Sequence, residues 1–309
     1  MGDRLRHDVS GRWISAAAAA LILFSAPAAG ASSPNPLFDF QSDTLTASFR
    51  SAHGSVGEAT VNVDIPYGLD PAQKYDVYRP ASPSAAPIIV MIHGGAWKGG
   101  DKQDADTVGA KAGYWVARGY IFVSLNYRLL PQKDPLVQAA DVALALAHIQ
   151  KNAAQWSGDK NKIVLMGAGA GGHLAALLSS NPSLASDQGA TPWAGAVILE
   201  TPALDIPAIM GTSHASIYDT AFGSNVEYWE DSSPSHLLAR SGLPMLVVCS
   251  AQSTENTCAR ASSFSTAANS IGVAITVSPQ ALSPSEVNSK LGLSSSYTNT
   301  VESFIEGLL

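Results

Sequence analysis

The sequence predicts an α/β fold, in which helices cover both faces of a mostly parallel sheet. Short apolar runs alternate with longer stretches whose apolar residues recur at helical spacing, which is typical of repeated strand-helix units. A glycine-rich segment at 167–171 joins one apolar run to the next helical stretch. With 309 residues, of which 46% are hydrophobic and 14% charged, the chain is long enough for one sizeable core. We therefore expect one globular domain, with a short loop-rich cap insertion at 205–234.

Each element follows from its local pattern. Short runs rich in Val, Ile and Leu predict buried strands at 88–92, 120–125, 163–166, 196–199, 245–249 and 274–278. Helical spacing predicts helices at 136–152, 172–179, 259–270 and 298–309. The polar stretch 157–162 is predicted to be a turn that precedes the third of these strands.

The first thirty residues are typical of an export signal. Three arginines precede the apolar run 14–26, and the small residues 29–31 offer a cleavage site. We therefore predict a signal peptide at 1–31, an N-terminal extension at 32–65 and the folded domain at 66–309, in a periplasmic or secreted protein. An N-terminal anchor that is not cleaved is the alternative.

The charge of the chain argues against two classes of partner. The formal net charge is −7, and residues 1–31 carry three arginines and two aspartates, so the predicted mature chain carries −8. Such a chain is not expected to bind nucleic acid or an anionic membrane.

The two cysteines, Cys249 and Cys258, lie a short loop apart. In an exported protein they are expected to form a disulfide, and two separately buried thiols are the alternative. No spacing of His and Cys resembles a zinc site, so no metal is expected.

The glycine-rich turn has the form of a nucleophile elbow that lacks its nucleophile. Gly167 and Gly171 bracket the turn between strand and helix, as in the Gly-x-Ser-x-Gly motif. Gly169 occupies the position at which that motif exposes a serine hydroxyl. The turn is therefore predicted to form without the group that would attack a substrate.

Four further motifs precede this turn in the sequence. They are His93-Gly-Gly-Ala-Trp97, Gly100-Asp-Lys102, Asn126-Tyr-Arg-Leu129 and Asp141. The set resembles the α/β-hydrolase esterases related to hormone-sensitive lipase and feruloyl esterases, over roughly residues 70–305. The resemblance implies an α/β-hydrolase fold and a carboxylesterase-like ancestry, without a cofactor.

The resemblance also places an oxyanion hole on the backbone N–H groups of Gly94, Gly95 and Ala170. Backbone donors need no particular side chain, so this part of the site is expected to be present. His93 is expected to be a packing and turn residue, not a base.

The residues expected to act as catalytic base and acid are replaced or uncertain. The segment 282–288 resembles one that carries the catalytic histidine in related esterases, and Pro284 stands in the place of that histidine. Proline cannot accept or relay a proton. The loop 250–257 contains no aspartate, so Glu255 is the nearest carboxylate for the acid and Asn256 is an alternative.

The other histidines do not restore a triad. His173 follows the elbow and is expected to be a hydrogen-bonded core residue. His214 lies in the cap insertion and His236 just after it, and neither follows the acid loop as the chain order of this fold requires.

Three functions remain open on the sequence alone. The favoured one is a catalytically silent homologue that binds a small acyl or ester ligand, or a protein partner. The second is a weak carboxylic-ester hydrolase, because roughly 10³–10⁴-fold catalysis over water can remain in enzymes that lack a triad member. The third is a degenerate product with no selected activity.

Overall fold

The structure is a computed structural model that describes residues 44–50 and 56–309, so the predicted signal peptide lies outside the described residues. The strands are β1 Thr44–Arg50, β2 Val56–Pro66, β3 Lys74–Pro80, β4 Ala86–Ile92, β5 Ile121–Leu125, β6 Gly158–Ala168, β7 Gly195–Leu199, β8 Met245–Ser250 and β9 Ile275–Gln280. The helices are α1 Ala105–Val116, α2 Pro135–Asn152, α3 Ala170–Ser180, α4 Ser183–Ser186, α5 Ile206–Met210, α6 Ser216–Phe222, α7 Val226–Asp231, α8 Thr257–Ser270, α9 Pro284–Ser289 and α10 Ser296–Leu308.

Within the described residues, the strands form one sheet in the order β1-β2-β3-β5-β4-β6-β7-β8-β9. The pairs from β5 to β9 in this order are parallel, and β1, β2 and β3 add an antiparallel edge next to β5. The predicted α/β fold with a mostly parallel sheet is confirmed. The predicted domain start at residue 66 coincides with the last residue of β2, which pairs with β3.

Alternate residues of the central strands pack on opposite faces of the sheet. In β4, Ile88, Val90 and Ile92 belong to one buried cluster, while Ile89 and Met91 belong to the other. The first cluster is covered by α2, α3 and α8, and the second by α1, α9 and α10. Burial on both faces explains why the strands are continuous apolar runs and not alternating patterns.

The carboxyl ends of the central strands meet at one edge of the sheet. Ile92 at the end of β4 pairs with Gly167 of β6, and Ala168 pairs with Leu199 at the end of β7. The segments that follow these three strands therefore leave the sheet side by side. In open α/β sheets this edge is the usual place for a ligand.

The predicted turn at 157–162 is wrong beyond its first residue. Ser157 has a left-handed conformation, and β6 begins at Gly158, which pairs with Ala86 ahead of a register shift. The polar residues 159–162 extend the strand and are partly or fully exposed. An exposed strand end carries polar residues as a turn does, so composition does not distinguish the two.

Several elements were not predicted. Helix α1 contains Gly109 with non-helical dihedral angles, which interrupts its apolar pattern. The cap insertion, predicted to be loop-rich, contains the three short helices α5, α6 and α7. Over the described part of the chain, none of the helices has the length and apolar character needed to cross a membrane.

His173 in α3 connects the sheet edge to the end of the cap. Trp97 Nε1 donates to His173 Nδ1 at 3.2 Å, and His173 Nε2 donates to the Ser232 carbonyl at 2.8 Å. The imidazole is fully buried and packs edge-on against Trp97 and Phe222. The expectation of a hydrogen-bonded core residue is confirmed. This burial lowers the pKa of His173 to about 4 and keeps the ring neutral.

The free energy of unfolding should fall as the pH is lowered from about 6.5 towards 4, because the unfolded chain then protonates His173 and the folded chain does not. One such group changes the free energy of unfolding by up to about 1.4 kcal/mol per pH unit. Urea unfolding over this range measures the slope, and His173→Gln should reduce it. Burial also lowers the pKa of His93 and His148, so part of the slope should persist. An unchanged slope in the variant would contradict this assignment.

Helix α3 approaches β4 through a glycine. A Cβ added at Gly171 would lie 2.2 Å from the Ile92 carbonyl oxygen and 2.4 Å from that of His93. Gly171→Ala should therefore destabilise the fold by more than about 3 kcal/mol, the upper range for single substitutions. Gly307→Ala in α10 is the matched control, because nothing lies within 4 Å of its Cβ, and it should be neutral or stabilising. Equal urea midpoints for the two variants would contradict the close packing.

Candidate active site

The turn between β6 and α3 has the backbone of a nucleophile elbow. Gly169 has φ 53° and ψ −116°, a region in which residues with a Cβ are strained. Its N–H donates to the Leu199 carbonyl at 2.9 Å, and its carbonyl accepts the first bond of α3 from the His173 N–H at 3.0 Å. The predicted sharp turn is therefore present, and Gly169 stands at its apex.

The space above Gly169 is open. A Cβ added there would lie 4.0 Å from the Gly94 Cα, and no other described atom outside the neighbouring residues is within 4 Å. Gly169 is half-buried, while Gly95 on the facing loop is exposed. A side chain at this position would project into the opening beside the loop 93–97, which we call the oxyanion loop.

Three backbone N–H groups of the oxyanion loop and the start of α3 are without partners among the described residues. The N–H groups of Gly94, Gly95 and Ala170 have no hydrogen-bond acceptor among the described residues. Ala170 is the first residue of α3, where N–H groups lack partners within the helix and the helix dipole favours negative charge. Gly94 approaches the elbow closely, since a Cβ there would lie 2.9 Å from the Ala168 carbonyl oxygen. These are the three residues that the sequence resemblance assigns to an oxyanion hole, and that role stays a prediction.

His93 is the first residue of the oxyanion loop, and its buried side chain contacts the loop backbone and Tyr127. Its Nδ1 lies 2.7 Å from the Gly94 carbonyl oxygen, and its ring stacks on Tyr127 with the ring centroids 4.4 Å apart. The Tyr127 hydroxyl donates to the His93 carbonyl at 2.9 Å. Burial lowers the pKa of His93. These contacts agree with the predicted packing and turn role.

Pro284, in the predicted histidine position, is the first residue of α9 and is exposed. Ser283 precedes it as the N-cap, and the Ser283 and Glu286 side chains form a reciprocal capping box. The segment reaches the same sheet edge as the elbow, because the Ser250 hydroxyl donates to the Leu282 carbonyl at 2.6 Å. Pro284 thus serves as a helix start and offers no proton-transfer group.

The loop 250–257, here called the acid loop, is closed at its base by the Cys249–Cys258 disulfide. The predicted disulfide is thus present, with the two Cα atoms 5.1 Å apart. Glu255, the predicted acid candidate, is exposed and accepts a hydrogen bond from the Tyr218 hydroxyl of the cap at 3.1 Å. Asn256, the alternative, has a left-handed backbone and caps α8 without a side-chain bond.

Sequence reasoning missed a buried carboxylate beside the elbow. Glu200 follows β7 directly, and its side chain accepts hydrogen bonds from the Ser250 N–H and the Thr257 hydroxyl. Only 9% of its surface is exposed. A charged residue immediately after a buried apolar strand was the signal that could have identified it.

The cap histidines make local contacts of their own. His214 Nε2 lies 3.1 Å from Asp219, and His236 Nε2 lies 3.5 Å from Asp205. A hydrogen bond with Asp219 raises the pKa of His214, which is at the surface. Among the residues that the structure describes, no three His, Cys, Asp or Glu side chains are grouped so that they could hold a metal ion.

Comparison with known proteins points to one family. The BD-FAE family model matches residues 75–191, which include the oxyanion loop and the elbow. Esterase LipC of Mycobacterium tuberculosis is 38% identical over 120 residues, which are 36% of this chain and 28% of that protein. Isoprenylcysteine alpha-carbonyl methylesterase ICME of Arabidopsis thaliana is 32% identical over 117 residues, 38% of this chain and 27% of that protein. The matches thus span between a quarter and a third of these relatives.

Solved structures show the same fold over most of the chain. Esterase B from Lactobacillus rhamnosis has a TM-score of 0.66 at 20% identity, with 81% of this chain and 86% of that one covered. A truncated carbohydrate esterase from gut microbiota has a TM-score of 0.68 at 16% identity, with 80% and 95% covered. The solved structures show that the chain has the α/β-hydrolase fold, and the family match and the two relatives show a similarity to esterases over a little more than a third of the chain.

Proposed function

We propose that this protein binds a small ligand through a carbonyl or carboxylate oxygen and does not form an acyl-enzyme. The observation that carries the proposal is the elbow itself. Gly169 has the nucleophile conformation and faces open space beside the oxyanion loop, yet it has no hydroxyl. The part of the site that recognises an oxygen is present, and the part that attacks a carbon is absent.

Acyl transfer in this fold needs a nucleophile and a base. The ancestral reaction would place a serine at 169 to attack the ester carbonyl and a histidine at 284 to take its proton. An acid in the position of Glu255 or a neighbour would orient that histidine. Gly169 and Pro284 remove both reacting groups, and the nearby His173 already uses both ring nitrogens in hydrogen bonds.

Binding does not require those groups. The N–H groups of Gly94, Gly95 and Ala170 have no acceptor among the described residues, and the α3 dipole favours negative charge at its first residue, Ala170. A carboxylate carries in its ground state the negative charge that an oxyanion hole is built to stabilise. A free acid is therefore a better ligand for this site than a neutral ester. The alternative of a protein partner would use the same opening.

A weak hydrolase is the second candidate function. The retained donors favour it, because oxyanion stabilisation and substrate binding alone can leave measurable catalysis. A water molecule would then have to attack the bound ester without a base. The third candidate, a degenerate product, would fold without binding either ligand.

We also propose that the protein is exported. The basic start of the chain, the apolar run 14–26 and the small residues 29–31 support this proposal. The Cys249–Cys258 disulfide is compatible with an oxidising compartment. The negative net charge supports a small-molecule partner over nucleic acid or an anionic membrane.

Removal of one oxyanion donor tests the binding proposal. Ala170→Pro deletes a single N–H at the first position of α3, where proline is well tolerated. Sodium butyrate binding, measured by calorimetry, should weaken roughly tenfold or more, since a hydrogen bond to a charged group contributes about 1.5–3 kcal/mol. Butanol, which lacks the carboxylate, should bind more weakly than butyrate.

The matched control is Ser296→Pro, which makes the same change at the exposed first position of α10. It should leave butyrate binding unchanged. Equal affinities of the native chain for butyrate and butanol would contradict the proposal, as would an Ala170→Pro variant that binds butyrate as tightly as the native chain.

A further inference from the structure

Glu200 lies at the centre of the sheet edge in a strained backbone conformation. Its φ is 45°, a left-handed value that is uncommon for residues other than glycine. It follows β7 directly, and its neighbour Leu199 accepts the hydrogen bond from the Gly169 N–H. Strained residues with side chains persist where the surrounding structure holds them, and they are concentrated at functional sites.

The carboxylate of Glu200 has unused acceptor capacity. A carboxylate offers about four acceptor positions on its two oxygens. Among the residues that the structure describes, two donors reach it, the Ser250 N–H at 2.5 Å and the Thr257 hydroxyl at 3.0 Å and 3.1 Å from the two oxygens. Within the described part of the chain, no Lys, Arg or His forms an ion pair with it. A buried carboxylate without a cation is costly unless another group compensates its charge.

Glu200 is connected through Ser250 to the segment that contains position 284. The same Ser250 whose N–H binds the carboxylate donates its hydroxyl to the Leu282 carbonyl, two residues before Pro284. Thr257 and Ser250 are the two ends of the acid loop, so the Glu200 side chain fills the base of that loop. Glu255, by contrast, is exposed on the loop and is engaged by the cap through Tyr218.

We infer that Glu200 is the positioning carboxylate of this site. Its buried side chain binds Ser250 and Thr257 at the two ends of the acid loop, and Ser250 in turn binds the Leu282 carbonyl, so the carboxylate is placed to orient a histidine at position 284. The inference rests on one part of the proposed function, namely that position 284 corresponds to the catalytic histidine of related esterases. It replaces the expectation that Glu255 holds the acid role. The orienting group is then the one member of the ancestral triad that the chain still carries.

The test introduces the missing base alone. Pro284→His changes the first residue of α9, which needs no N–H partner and remains capped by Ser283. NMR titration should give this histidine a pKa at least about one pH unit above the ordinary 6.5, with a low-field Nδ1–H proton signal, because a carboxylate favours the charged ring. Without that carboxylate, the helix N-terminus should hold the pKa at or below 6.5.

Adding Glu200→Gln to Pro284→His should abolish the raised pKa and the low-field signal. The matched controls, Glu255→Gln and Glu286→Gln, should each leave both readings unchanged. Glu286 is included because it lies in the same helical turn, where it binds Lys290 and Ser283. Gln has the shape of the replaced carboxylate and keeps one acceptor oxygen, without the charge.

An ordinary or lowered pKa in the Pro284→His variant overturns the inference, and so does loss of the raised pKa in either control. If Glu200→Gln does not fold, the Pro284→His variant and its two folded controls still decide the question. The readings do not depend on ester turnover or on butyrate binding. A failure of the proposed function is therefore distinguishable from a failure of this inference.

Discussion

The candidate site depends on close approach of backbone to backbone at the carboxyl edge of the sheet. Gly171 lets α3 begin against the Ile92 carbonyl, and Gly94 lets the oxyanion loop pass beside Ala168. At both contacts a Cβ would collide with a carbonyl oxygen at less than 3 Å. This packing brings the oxyanion loop next to the elbow and the start of α3. Because it uses backbone alone, it is independent of the residue at the elbow apex.

The backbone of the site is therefore compatible with the residues found at positions 169 and 284. Gly169 has no nucleophilic side chain, and as a glycine it adopts a conformation that is strained for other residues. Pro284 and Ser283 give α9 a well-capped start in place of a base. Gly169 and Pro284 therefore both suit the local backbone, and neither carries a group that can attack a substrate or transfer a proton. The buried Glu200 differs from both, because its φ of 45° is uncommon for a residue other than glycine and its side chain forms no ion pair among the described residues.

The sequence predicted the parallel sheet and the elbow because both have strong local signals. Buried strands are continuous apolar runs, and the turn at 167–171 needs its glycines for steric reasons. The extension of β6 through 159–162 and the helices of the cap depend on pairing and packing that composition does not encode. Glu200 was missed for a related reason. Its role arises from contacts with Ser250 and Thr257, 50 and 57 residues away, which no local pattern reveals.

The most direct test of the account is the hydrolysis of p-nitrophenyl acetate and p-nitrophenyl butyrate. The native chain should show no saturable turnover, because it has no nucleophile at 169 and no base at 284. The Gly169→Ser/Pro284→His double variant should hydrolyse both esters, and neither single variant should do so appreciably, since triad members act as a unit. Saturable hydrolysis by the native chain would contradict the account and would mean that another residue carries the reaction.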